Sequence, residues 1–87
     1  MADGDVAKPA AVGWLFIVEL TGAPDALVRV LAVCAARQVA LSAVSYAAAA
    51  VRIEAAGLSE RDAQRLSARL QAEPVVTGVT LGWRLKA

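Results

Sequence analysis

The stretch WLFIVELTGAPDALVRVL, Trp14 to Leu31, decides the fold. Its first half alternates bulky side chains with the period of a strand. Trp14, Phe16, Val18 and Leu20 point to one face, and Leu15, Ile17, Glu19 and Thr21 to the other. Both faces are largely apolar, which suits a central strand covered on both sides. Gly22, Pro24 and Asp25 then interrupt the alternation. Pro24 fits the first turn of a helix, where its missing N–H is not needed, and Asp25 sets a carboxylate against the positive end of the helix dipole. Leu27, Val30, Leu31 and Cys34 recur at helical spacing and predict a buried stripe to about Ala36, with the Arg37 cation in the last turn. The functional question is whether the joint at 21–25 is a ligand-holding loop or a corner.

Downstream, Val39 to Tyr46 reads as a second strand and Val51 to Ala55 as its partner, in which Val51, Ile53 and Ala55 alternate with Arg52 and Glu54. Ala47 to Ala50 lie between them, with no Gly, Asn, Asp or Pro to fix a turn type, and alanine prefers helix. Ser59, with Asp62 three positions on, resembles a capping box; Ala63, Leu66 and Leu70 form a second buried stripe that Pro74 ends. A last strand spans roughly Val75 to Leu85, with Gly78 and Gly82 marking bulges or a bend. Residues 1–11 lack periodicity and read as a flexible tail, leaving 12–87 as one domain. Strand–helix–strand twice over predicts an α+β, ferredoxin-like βαββαβ domain, a four-stranded antiparallel sheet with two helices on one face. The other face would be open and carry large apolar groups. Leu15, Ile17 and Glu19 are therefore the candidate partner interface, and a homodimer or a larger catalytic subunit is the expected cover.

Composition excludes more than it assigns. The chain has 87 residues, 59% of them hydrophobic, and alanine supplies 21. Nine basic and eight acidic groups leave a net charge of +1, no footprint for nucleic acid or an anionic membrane. AAVRIEAA, residues 49–56, carries no aromatic on which a base could stack. With one cysteine and no histidine, neither an internal disulfide nor a zinc motif can form, which points to a reducing, cytoplasmic setting. Asp3 and Asp5 stand where a secretory signal would be basic, and the longest uncharged run, Gln38 to Val51, is too short to span a bilayer.

Catalysis has few places to reside. The candidate carboxylates Glu19, Asp25 and Glu54 have structural explanations as a strand position, a helix N-terminal charge and an outward neighbour of Arg52. Cys34 lies on the buried stripe and reads as an inert core thiol. Arg61, Arg65 and Arg69 form a solvated helix face, with Asp62–Arg65 and Arg69–Glu73 as helical ion pairs. The expectation is a protein that is not an enzyme and uses no cofactor or metal.

With these elements placed, the chain resembles the ACT domain family of small regulatory modules. That family follows its first strand with an N-x-P-G-type loop and a helix of the form L-x-R-V-L. Those positions here read Gly22-Ala23-Pro24-Asp25 and Leu27-Val28-Arg29-Val30-Leu31, followed by Arg37-Gln38-Val39-Ala40-Leu41. Pro24-Asp25 and the alanine run after Tyr46 are most similar to the short, isozyme-II-type regulatory small subunits of acetohydroxyacid synthase (acetolactate synthase). The resemblance implies a non-catalytic role in branched-chain amino acid biosynthesis, binding and activating a catalytic subunit. The alternative is a stand-alone dimer that senses an amino acid through Thr21, Gly22, Ala23, Pro24 and Asp25 together with Gln38, Val39 and Ala40. Three departures from the family pattern, and a further one at Ala40, weigh against effector binding. Asp25 replaces the loop glycine and would occupy or repel at the helix N-terminus, Gly22 stands where asparagine or aspartate is usual, Gln38 replaces the glycine after the first helix, and Ala40 cannot hydrogen-bond an effector.

Overall fold

A computed structural model describes residues 12–85 of the chain, with side chains over 13–82. The tail expected over residues 1–11 and the last two residues of the expected domain lie outside the described residues. The elements run β1 (Val12–Leu20), α1 (Ala26–Ala36), β2 (Ala40–Ala47), β3 (Ala50–Ala56), α2 (Glu60–Gln71) and β4 (Val76–Leu85). All pairings are antiparallel, in the order β2-β3-β1-β4. This is the expected α+β, ferredoxin-like arrangement.

The period-2 pattern of β1 sorts its side chains as expected. Trp14, Phe16, Val18 and Leu20 are buried, while Leu15 and Ile17 are half-buried and Glu19 is exposed. The buried set joins Val51, Ile53 and Ala55 of β3 in one core that both helices cover. From α1 come Ala26, Val30 and Cys34; from α2, Ala63, Leu66 and Leu70. The stripe expected on α1 is thus rotated. Ala26 is buried where Leu27 and Leu31 were expected, and those two leucines are half-buried on the flank. The Trp14 indole N–H donates to the Leu58 carbonyl at 2.8 Å, tying the loop before α2 to the start of β1.

Local signals explain the helix ends. Ser59 caps α2, its hydroxyl accepting from the Asp62 N–H at 3.1 Å. Helix α1 begins at Ala26, two residues after Pro24, so Pro24 and Asp25 form a turn ahead of it and Asp25 is the N-cap. At its other end Gln38 adopts φ 57°, with Gln38 N–H donating to Ala35 C=O and Val39 N–H to Cys34 C=O. That is the bonding of a Schellman motif, built on glutamine where glycine is usual.

The hairpin closes in a way that alanine chemistry does not announce. Ala47 pairs with Ala50, leaving a two-residue turn in which Ala48 and Ala49 have φ 54° and 63°. Two positive φ values are the pattern of a type I′ turn, which suits the strand twist but burdens any residue with a Cβ. Two bulges complete the sheet. Ser42 is the extra residue in β2, its hydroxyl donating to the Glu54 carbonyl at 3.1 Å. Thr77 is the extra residue in β4, its hydroxyl donating to the Glu19 carbonyl at 3.2 Å. The second bulge adjoins Gly78 as expected, whereas Gly82 pairs regularly with Leu15.

Candidate functional site

Helix α2 lies over the β4 side of the sheet. Helix α1 packs beside α2. The helical repeat sets Leu27 and Leu31 on the flank of α1 opposite Arg29. Strand β2 forms one edge of the sheet, and every one of its 8 residues is exposed.

The Ser42 bulge determines what that edge presents. Leu41 pairs with Ala55, Val44 with Ile53 and Tyr46 with Val51, all partners on the helix-covered face. Leu41, Val44 and Tyr46 therefore line the same face, with 38%, 41% and 53% of their surface exposed. Val28 on the outer surface of α1 is also exposed. The strand carries no charge.

The interface expected from sequence lies elsewhere. Leu15, Ile17 and Glu19 sit on the open face, but their cross-strand neighbours are Glu54, Arg52 and Ala50 on one side and Gly82, Thr80 and Gly78 on the other. That face is a mixture of small and charged groups, with its two large apolar side chains half-buried. Among the described residues, the large exposed apolar groups belong to β2 and α1 instead. A plain period of two along β2 puts Leu41 and Val44 on opposite faces, so sequence alternation does not reveal the set.

The two loops considered for an effector stand at opposite ends of the domain. Thr21–Asp25 follow the end of β1, where Thr21 N–H donates to the Val75 carbonyl. Gln38–Ala40 lead into β2 at the other end, where Ala40 pairs with Ala56 and Ala56 with Gly13. Within one protomer they do not meet. The Asp25 carboxylate does not cap the helix. It turns to Arg29 at 2.7 Å, and that hydrogen bond holds it below the ordinary aspartate range. Cys34 is buried, and desolvation pushes its thiol pKa up, so the thiolate is disfavoured. Of the two ion pairs expected on α2, Arg69–Glu73 forms at 3.8 Å and Asp62–Arg65 does not. No group of three or more His, Cys, Asp or Glu residues capable of holding a metal ion occurs among the described residues. None of the described helices is long and apolar enough to cross a membrane.

No family model and no curated protein matches the chain. Among solved structures, the "Solution structure of the C-terminal domain of the MgtC protein from Mycobacterium tuberculosis" is similar, with a TM-score of 0.60 over 100% of this chain and 97% of that one. At 16% sequence identity the likeness speaks for the fold alone.

Proposed function

We propose that the protein is a non-catalytic, cytoplasmic interaction module that pairs through the β2 edge. The carrying observation is that edge: an uncharged strand, exposed at every position, with Leu41, Val44 and Tyr46 in a row. Solitary edge strands are ordinarily blunted by lysine, proline or bulges. Here the Ser42 bulge lies near the strand's beginning and leaves 43–47 in regular register. An antiparallel pair of β2 strands from two copies brings no like charges together and joins the two sheets. The sequence resemblance supplies the wider role, a small subunit that binds and activates an acetohydroxyacid synthase catalytic subunit.

A second reading, an amino-acid-sensing dimer, gains from the placement of the loops. Antiparallel pairing of β2 with its copy carries Gln38–Ala40 of one protomer to the end of the sheet where Thr21–Asp25 of the other stands. The separation within one chain is closed by the partner.

The test is sedimentation velocity on the wild-type chain and on Val44→Lys, with circular dichroism as the fold control. The wild type sediments as a dimer, and the variant, placing lysines against each other at an exposed position, as a folded monomer. A wild-type monomer that also fails to bind a purified acetohydroxyacid synthase catalytic subunit overturns the proposal. A thermal shift with valine, leucine or isoleucine that disappears in Val44→Lys selects the sensor reading.

A further inference from the structure

A cleft of about 190 Å³ opens between the C-terminal end of α1, the start of β2 and the first turns of α2. It is lined by Arg37, Val39, Leu58, Asp62, Arg65 and Leu66. We infer that it binds a small organic carboxylate with a short apolar tail, the two guanidinium groups taking the carboxylate and the apolar floor taking the tail.

The lining has two parts with different chemistry. Leu66 is buried and Val39 and Leu58 are half-buried against the core, so the floor is apolar and fixed. Arg37, Asp62 and Arg65 are exposed around it. Neither arginine is in an ion pair among the described residues, although Asp62 and Arg65 are three apart on α2, a spacing that permits one. Arg29 and Arg69, by contrast, are matched with Asp25 and Glu73. The Asp62 carboxylate is not returned to the Ser59 N–H either, because only the hydroxyl half of the capping box forms.

Guanidinium groups favour carboxylates through paired N–H donors, and two of them give the cleft a net positive charge. An inorganic anion would leave the leucine and valine floor unused. The volume falls below the roughly 300–1,000 Å³ of drug-sized sites, which restricts the ligand to a small metabolite. Asp62 offers a place for an ammonium group, so the same chemistry admits either a simple branched carboxylic acid or the corresponding amino acid. The cleft lies within one protomer and shares only Val39 with the effector loops considered above.

The experiment is a two-dimensional amide NMR titration of the full chain, in the Val44→Lys background as well as the wild type, so that its outcome is independent of dimerisation. The probes are 4-methylpentanoate, leucine and inorganic phosphate at millimolar concentrations. The Trp14 indole N–H, bonded to the Leu58 carbonyl, is a built-in reporter. Either organic probe shifts this resonance and the amides of 37, 39, 58, 62, 65 and 66. Arg37→Gln and Arg65→Gln, both at exposed positions, each weaken that binding about tenfold, the loss of one charge-assisted contact. Asp62→Asn weakens leucine alone if the ammonium is held, and leaves both probes unaffected if only the carboxylate is; either result keeps the site. Absence of shifts with both organic probes, equal binding by phosphate, or binding unchanged in both arginine variants overturns the inference.

Discussion

Among the described residues, three with side chains occupy left-handed backbone, and all of them flank β2: Gln38 before it, Ala48 and Ala49 after it. Each left-handed L-residue costs about 1–2 kcal/mol relative to its preferred conformation. At the hairpin, Asn-Gly meets the same geometry with little strain. Ala48→Asn combined with Ala49→Gly is accordingly expected to stabilise the domain by about 1–2 kcal/mol, a rise of several degrees in thermal midpoint by calorimetry. An unchanged or lower midpoint would show that the alanine turn is not strained. Cys34 makes a prediction in pH. Burial raises its folded pKa above the unfolded value of 9.0, so the native state retains the proton longer. Its contribution is fully present at neutral pH and declines as the pH passes about 9, where the unfolded thiol ionises first. Iodoacetamide should therefore leave Cys34 unmodified in the native protein at pH 8 and label it rapidly in denaturant. Rapid labelling of the native form would contradict the burial.

Elements differ in how much of them the sequence discloses. Helix α2 was legible almost to the residue, because Ser59, the Ala63–Leu66–Leu70 stripe and Pro74 are local signals that tertiary packing did not override. Strand β1 was legible for the same reason, its two faces being written in strict alternation. Helix α1 was rotated from its expected stripe: Ala26, Val30 and Cys34 are its buried residues, while Leu27 and Leu31 are half-buried on the flank. Strand β2 was found but its faces were not. A bulge at Ser42 is held by the carbonyl of Glu54, and no local pattern reports a bond to another strand. The exposed row of Leu41, Val44 and Tyr46 and the Arg37–Arg65 cleft share that origin. Each depends on which elements the fold sets side by side.

At the scale of the molecule, the pairing proposed for the β2 edge and the small-molecule binding proposed for the arginine cleft fall on separate places. The central strand β1 pairs with β3 on one side and β4 on the other. The β1–β4 ladder runs from Leu20 with Val76 to Val12 with Leu85. It thus joins almost the most distant described parts of the chain, so the search for the native state must close a very large loop before this ladder contributes. Joining Leu85 to Val12 by a short linker and opening the chain between Ala48 and Ala49 would convert the ladder into a hairpin and relieve the alanine turn. In stopped-flow refolding the permuted chain should reach the native state faster than the original. An equal or slower rate would mean that the β2–β3 hairpin, and not the joining of the chain's two distant ends, governs the time the protein takes to assemble.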